Sequence, residues 1–291
     1  KHARCKCLSL LSLKEIMLPN VKYFFNMPKK LVFHGSFKTE SDKSNVLLLL
    51  PKTKGPLGNK KFKNLLKNDF NLLEYDDVLT EELGIFDTIY SSSLEYKASA
   101  VNIALEYWKG IEFHIICHST GCGLGAFLAN FNKDTCKSLI LISPWYKRDK
   151  NFTALQMRRI ENAKKLDTIL FLKAEYNLLY SSEYTSKFKM DFKQHLLNQK
   201  DKIVDAVQMK KRLLSILDCN IGDVLCNLEM PMLFINAVDD KLMKVYHGQE
   251  LHKNSTNSNL ISLDNGGHML TETRTDDLDF YIKSFINTLG K

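Results

Sequence analysis

Apolar residues recur along this chain with two different periods, and the period predicts which element each stretch forms. Short continuous apolar runs, such as Val46–Leu50 and Ser138–Ser143, are typical of strands buried on both faces of a sheet. Residues 101–108 instead carry apolar side chains at the spacing of an amphipathic helix. Further strands are predicted at Lys30–Lys38, Phe70–Tyr75, Met232–Ala237 and Asn259–Leu263, and further helices at Phe62–Leu66, Val245–His252 and Leu278–Leu289. Because strands alternate with helices, the pattern predicts an α/β fold built on a mostly parallel sheet.

One long stretch interrupts this alternation. From Trp145 to about Gly222 no run has the character of a strand, and apolar residues keep a helical spacing. We interpret residues 145–222 as a helical lid inserted into the sheet domain. A chain of 291 residues is long enough for one large domain with such an insertion. Residues 1–20 are interpreted as an N-terminal extension of separate role, and residues 21–291 as the domain.

The formal net charge of +8 is unevenly distributed. Residues 1–60 carry 12 Lys/Arg against 3 Asp/Glu, and residues 146–218 carry 16 against 9. The basic residues are scattered and belong to no nucleic-acid-binding motif, so we expect no nucleic acid as a partner. Basic residues that face a substrate pocket would favour an anionic substrate. The alternative is that these residues face solvent. In the predicted lid the clustered ones are Arg158, Arg159, Lys164, Lys165, Lys210, Lys211 and Arg212.

Apolar run length and cysteine spacing exclude other classes of protein. The longest apolar run, Val46–Leu50, is far shorter than the roughly 20 residues that span a bilayer, so no integral membrane segment is expected. Seven cysteines at irregular spacing do not match a metal site, and we expect no metal or organic cofactor. Such cysteines are typical of free thiols in a reducing compartment, which predicts a cytoplasmic location.

The stretch Glu112–Gly125 holds the clearest candidate for chemistry. The apolar run of Ile115 and Ile116 stops at Ser119, and small residues follow before a helical pattern begins. This order predicts a strand, a tight turn and a helix, with the serine hydroxyl at the apex of the turn. A serine becomes a nucleophile when a base takes its proton and a third group holds that base.

Candidates for both partners follow predicted strands further along the chain. Asp239 and Asp240 come after the strand that ends at Ala237. His268 comes after the last predicted strand. The carboxyl ends of parallel strands lie at one edge of a sheet, so Ser119, Asp240 and His268 can converge there.

With these residues, the sequence resembles the α/β-hydrolase family from roughly Lys30 to the C-terminus. The motifs are Cys117-His-Ser119-Thr-Gly121, Asn236-Ala-Val-Asp-Asp240 and Asp264-Asn-Gly-Gly-His268-Met. The chain is similar to small lid-bearing carboxylesterases, enol-lactonases, aminoacrylate hydrolases and C–C hydrolases. The resemblance implies an α/β-hydrolase fold: a mostly parallel sheet of the eight-stranded type, flanked by helices, with an inserted helical lid. It also implies Ser119 as nucleophile, His268 as general base and Asp240 as the residue that orients the imidazole, with Asp239 as the alternative to Asp240.

The resemblance further implies an oxyanion hole made by the backbone N–H groups of Thr120 and Thr53. Two positions depart from the family pattern. Cys117 stands where the family has glycine, two residues before the nucleophile. Pro51 and Lys52 replace the His-Gly that opens the oxyanion loop, and this departure bears on the Thr53 donor.

Two aromatic residues are further candidates for the substrate pocket. His118 precedes the serine and is expected to pack rather than to act as a base, in a position that can border the pocket. Trp145 is expected to line the pocket or to pack beneath the lid. We therefore predict a carboxylic ester hydrolase that forms an acyl-enzyme on Ser119 with a small-molecule acyl substrate. A thioesterase, a lactonase or a C–C bond hydrolase would use the same triad. A ligand-binding protein of this fold with little turnover is the alternative from another class.

Overall fold

The computed structural model describes residues 6–8, 17–18, 21–22, 31–51, 55–76 and 93–290. The strands in these ranges are β1 (Lys6–Leu8), β2 (Met17–Leu18), β3 (Val21–Lys22), β4 (Leu31–Gly35), β5 (Ser44–Leu49), β6 (Phe70–Asp76), β7 (Phe113–His118), β8 (Cys136–Ile142), β9 (Met232–Ala237) and β10 (Ser258–Leu263). The helices are α1 (Lys60–Asp69), α2 (Leu94–Leu105), α3 (Thr120–Phe131), α4 (Lys150–Lys165), α5 (Thr168–Leu179), α6 (Ser182–Lys187), α7 (Lys189–Gln199), α8 (Ala206–Leu217), α9 (Ile221–Leu225), α10 (Tyr246–Asn254), α11 (Leu270–Thr273) and α12 (Thr275–Thr288).

The main sheet has eight strands in the order β1-β4-β6-β5-β7-β8-β9-β10. Neighbours from β6 to β10 pair in parallel, and β4 and β1 add antiparallel strands at one edge. Strands β2 and β3 pair with each other outside this sheet. A mostly parallel eight-stranded sheet flanked by helices confirms the fold class expected from the sequence.

The central strands are apolar at successive positions because both of their faces are covered by helices. In β5, Leu47 and Leu49 belong to an apolar cluster shared with α2 and α3. Val46 and Leu48 point to the opposite face and belong to a second cluster, which includes residues of α1 and α12. All four side chains are buried, and a fully buried leucine contributes about 1.5–3 kcal/mol through the hydrophobic effect. This double burial explains the continuous apolar runs that predicted the strands.

Six helices, α4 to α9, lie between β8 and β9, and the first five of them, α4 to α8, are called the helical insertion (residues 150–217) below. Residues 143–231 are all described, and they contain no strand, as the helical spacing of their apolar residues indicates. Asp149, Asp167 and Asp205 precede α4, α5 and α8, and each side chain accepts a hydrogen bond from a backbone N–H of the first turn. Such caps satisfy N–H groups that have no partner within the helix and so define where each helix begins.

The proposed N-terminal extension, residues 1–20, lies mostly outside the described ranges and stays a prediction. Within the described ranges, no helix combines the length and the apolar character needed to cross a bilayer.

Candidate active site

The turn between β7 and α3 is a single residue, Ser119. Its backbone has φ 53° and ψ −121°, in the half of conformational space that residues other than glycine rarely adopt. The Ser119 N–H donates to the Ile142 carbonyl at 2.9 Å, which ties the turn to β8. The serine therefore lies at the carboxyl end of the sheet and at the N-terminus of α3.

The turn is tight because α3 lies directly against the sheet. A Cβ atom on Gly121 would lie 2.2 Å from the Leu49 carbonyl oxygen, so only glycine fits there. A Cβ atom on Gly125 would lie 2.8 Å from Cys117 Sγ. The missing side chain of Gly125 thus makes room for the Cys117 thiol, which donates to the Ile140 carbonyl at 3.2 Å. This packing accommodates cysteine where the family pattern has glycine.

His268 connects Ser119 to Asp240 through both ring nitrogens. Its Nε2 lies 2.7 Å from Ser119 Oγ, and its Nδ1 lies 2.8 Å from Asp240 Oδ2. The three residues are 6%, 1% and 1% exposed in the order Ser119, Asp240, His268. Asp240 Oδ1 accepts the N–H groups of Leu242 and Met243, each at 2.8 Å. Because the carboxylate accepts the Nδ1 proton, Nε2 is left as the acceptor for the serine proton.

Asp239 has a different contact from its neighbour. Its Oδ1 accepts the Gly267 N–H at 2.8 Å. The two adjacent carboxylates thus bind successive residues of one loop, Asp239 through the backbone and Asp240 through the His268 ring. The contact with the imidazole belongs to Asp240, and not to the alternative that the sequence left open.

The backbone of His268 is held on both sides. Its N–H donates to the Leu179 carbonyl, at the end of α5, at 2.8 Å. Its carbonyl accepts His118 Nε2–H at 2.9 Å and the Ser143 hydroxyl at 3.2 Å. Burial, with the nearby His268 as the second cause, lowers the pKa of His118 to about 3, so its ring is neutral. The other His118 nitrogen lies 3.1 Å from Thr271 Oγ1. His118 therefore fixes the loop that carries His268.

A cavity of about 30 Å³ lies beside Ser119. At about 10–15 Å³ per molecule, it has room for about two waters. The sheet domain contributes Pro51, Ser119, Thr120, Leu242, Met243, His268 and Met269, and the helical insertion contributes Arg159, Leu179, Arg212, Leu213 and Ile216. Both parts of the fold must therefore be in place to enclose the hydroxyl.

The apolar lining of the cavity was not identified from the sequence, although Leu242 and Met243 lie only two and three residues after Asp240. His118 and Trp145 are not among the described residues that line it. Trp145 is fully buried and donates from Nε1 to the Cys219 carbonyl at 2.7 Å. It packs against α3, where a Cβ atom on Gly123 would lie 3.0 Å from Trp145 Cη2.

The clustered cations of the helical insertion differ in their surroundings. Those that are exposed are Arg158, Lys164, Lys165 and Lys210. Arg159 is buried and binds Glu175 through two hydrogen bonds of 3.0 and 2.6 Å, which compensate its charge. Arg212 is half-buried, and its Nη2 lies 2.9 Å from Met209 Sδ. Of the clustered cations, Arg159 and Arg212 thus line the cavity.

One of the two expected oxyanion donors lies in the described part of the chain. Thr120 is the first residue of α3 and lines the cavity, so its N–H lies at the positive end of the helix dipole. Thr53 and Lys52 lie outside the described residues, and the Thr53 donor stays a prediction. Among the residues that the structure describes, no cluster of three or more His, Cys, Asp or Glu side chains could hold a metal ion.

The geometry therefore combines a hydroxyl, a base hydrogen-bonded to it, a carboxylate that orients the base, and a helix N-terminus beside the hydroxyl. Such a site can deprotonate a serine as it attacks a carbonyl carbon and can stabilise the negative oxygen that forms.

Comparison with known proteins agrees with this fold. Residues 93–275 match the family model described as alpha/beta hydrolase fold. A protein of Acinetobacter baylyi named carbamate hydrolase RutD is 24% identical over 201 residues, which are 67% of this chain and 76% of that protein.

Solved structures share the architecture at low identity. MGS-M2, an alpha/beta hydrolase enzyme from a Medee basin deep-sea metagenome library, has a TM-score of 0.75 at 16% identity, covering 89% of this chain and 94% of that one. The enol-lactonase of Burkholderia xenovorans LB400 has a TM-score of 0.70 at 15% identity, covering 89% and 96%. At such identities the likeness shows the fold alone. Because the family model spans more than half of the sequence, the chain belongs to the alpha/beta hydrolase family.

Proposed function

We propose that the protein is a serine hydrolase that cleaves a carboxylic ester through an acyl-enzyme on Ser119. The observation that carries this proposal is the position of His268, 2.7 Å from Ser119 Oγ and 2.8 Å from Asp240 Oδ2. In the first step Oγ bonds to the ester carbonyl carbon while Nε2 takes its proton. His268 then returns the proton to the alcohol oxygen as the C–O bond breaks. Water, deprotonated by the same nitrogen, then bonds to the acyl carbon. His268 returns that proton to Ser119 Oγ as the bond between Oγ and the acyl carbon breaks and the acid leaves.

The negative charge that develops on the carbonyl oxygen during the attack must be stabilised. We assign this role to the Thr120 N–H at the start of α3, with Thr53 as the proposed second donor. An oxyanion donor is typically worth about 10²–10³ in turnover. Asp240 holds the imidazole in the reactive orientation and stabilises the imidazolium that forms.

The substrate is proposed to be a small acyl compound with an anionic group. Arg212 supports this choice, because it lines the cavity beside Ser119, where a cation favours an anionic ligand. A cavity of about 30 Å³ is too small for an acyl chain, so side chains of the helical insertion must move when substrate enters. Thioesters and lactones share the acyl chemistry, and a C–C bond hydrolase would share the triad. A cytoplasmic location is proposed from the cysteine pattern.

A fluorophosphonate probe and a series of p-nitrophenyl acyl esters test the proposal. Wild-type protein should be labelled and should hydrolyse the esters, and Ser119→Ala should lose both activities. Ser138→Ala is the matched control, because this serine is equally buried but lies within β8 and contacts His114. If wild-type protein were unlabelled and turned over no ester above the Ser119→Ala background, the hydrolase proposal would fail. A ligand-binding protein of this fold would then be the better hypothesis.

A further inference from the structure

Glu272 lies in α11, four residues after His268, and joins three separate parts of the chain. Its Oε1 accepts the Gly55 N–H at 2.9 Å. Its Oε2 accepts the Leu57 N–H at 3.2 Å and the Tyr180 hydroxyl at 2.9 Å. One carboxylate therefore binds the loop after β5, the helical insertion and the segment that carries His268.

The bound loop leads directly to the cavity. β5 ends at Leu49, and Pro51 lines the cavity beside Ser119 and Thr120. Gly55 lies only four residues beyond Pro51, so the contact with Glu272 anchors the far end of the stretch between them. Thr53, the second oxyanion donor that the family resemblance implies, falls in this stretch of the sequence and outside the described residues.

The fit around Gly55 leaves no space for a side chain. A Cβ atom there would lie 1.5 Å from Tyr180 Oη and 2.6 and 2.7 Å from the two Glu272 carboxylate oxygens. The backbone must approach this closely for its N–H to reach the carboxylate, which explains glycine at this position.

The same end of the helical insertion also contacts the His268 loop. Leu179 accepts the His268 N–H at 2.8 Å, and the next residue, Tyr180, is 1% exposed and donates to Glu272. Burial raises the pKa of Glu272, while the Tyr180 hydroxyl and the backbone N–H groups oppose that rise. The carboxylate and its donors thus depend on one another, and loss of one weakens the whole junction.

We propose that Glu272 is a positioning residue that holds the loop after β5 and the segment after α5 in register with the segment of His268, so that His268 keeps its place beside Ser119 in the transition state. This inference rests on the proposed hydrolase function. Glu272 acts through the backbone of Gly55 and Leu57 and does not touch the substrate.

Glu272→Gln tests the proposal with almost no change in volume. The amide keeps one acceptor oxygen but turns an NH₂ group toward an N–H donor, so one bond is lost. We expect kcat to fall about tenfold to a hundredfold with KM within about twofold, because the position of His268 relative to Ser119 matters most in the transition state. The inhibition constant of an alkylboronic acid, whose adduct with serine occupies the oxyanion hole, should rise by the same factor as kcat/KM falls. Tyr180→Phe, which removes one hydroxyl and keeps the ring, should show the same pattern with a smaller factor.

Glu183→Gln is the control, since this glutamate is exposed on α6 and the change should leave both constants as in wild type. Amide hydrogen exchange supplies a readout independent of activity: exchange at Gly55 and Leu57 should be faster in Glu272→Gln than in the control. Unchanged exchange, or faster exchange with unchanged kcat and boronate inhibition, would overturn the positioning role. Failure of the hydrolase proposal itself is distinct, because wild-type protein and Glu183→Gln would then both lack labelling at Ser119.

Discussion

Replacing Gly121 by alanine should disable the candidate site without touching any of its reactive side chains. The added Cβ would lie 2.2 Å from the Leu49 carbonyl oxygen and 2.9 Å from the Leu49 carbonyl carbon. Optimal non-bonded contacts are about 3.5–4.0 Å, so α3 and β5 would have to part by about 1 Å. Both Leu49 atoms belong to the backbone of a central strand, so neither can move away by rotation of a side chain.

Two effects follow from a displacement of that size. Forcing an extra methyl group into packed space costs about 1–3 kcal/mol of stability. Thr120, whose N–H is the proposed oxyanion donor, directly precedes Gly121 and would move with it. Misplacement of a catalytic group by about 1 Å can lower the rate about 10²-fold, so kcat should fall by about that factor.

Gly123→Ala is the matched control in the same helix. Its Cβ would meet the ends of two side chains, Leu94 Cδ1 at 2.5 Å and Trp145 Cη2 at 3.0 Å, and Leu94 can adjust. Both substitutions gain the same helix propensity, about 1 kcal/mol, so that contribution cancels. The assay measures fluorophosphonate labelling rate and ester turnover in both variants at a temperature where both are folded. Wild-type rates in Gly121→Ala, or an equal loss in both variants, would refute the reasoning.

Two further predictions concern the substrate and acid stability. Arg212→Gln should lower kcat/KM about tenfold to a hundredfold for a p-nitrophenyl ester with a terminal carboxylate, since hydrogen bonds to charged groups contribute about 1.5–3 kcal/mol. An equal loss with the neutral ester of the same length, or in the exposed-site control Lys210→Gln, would contradict the proposal of an anionic substrate. Burial, as the largest cause, lowers the pKa values of His114 and His247 to about 4 and that of His118 to about 3. The unfolded chain therefore binds more protons below its ordinary histidine pKa of about 6.5, and stability present at pH 7 is lost as the pH falls toward 4. A pKa lowered by 2.5 units corresponds to about 3 kcal/mol of folding free energy per histidine. The free energy of unfolding, measured by urea titration, should therefore fall from pH 7 to pH 5, and a constant value would refute this account.

Local sequence determined the elements of the fold and the order of the reactive residues. Continuous apolar runs such as Val46–Leu50 require cover on both faces, so they mark central parallel strands wherever they fold. Ser119, His268 and the Asp239–Asp240 pair could be named because Ser119 directly follows β7 and the others lie in the loops after β10 and β9. Parallel strands present such positions at one edge of the sheet.

Tertiary packing decided what residue spacing leaves undetermined. Asp239 and Asp240 are chemically identical neighbours, and the register of the His268 loop against β9 selects which one meets the imidazole. His118 holds the carbonyl of His268, 150 residues away, a contact with no local signal. The clustered cations look alike in sequence, yet the packing of α4 and α8 brings Arg159 and Arg212 to the cavity. The same packing leaves Arg158, Lys164, Lys165 and Lys210 exposed.

By itself, then, the sequence determined an α/β fold with three candidate catalytic residues at one edge of its sheet, because strand periodicity and the residues that follow a strand are local properties. Only the tertiary structure placed Glu272 between the loop after β5 and the helical insertion, opened the small cavity beside Ser119, and fitted the Cys117 thiol against Gly125. Each of these depends on the distance between segments far apart in the chain, and such distances are set by close packing of the whole domain.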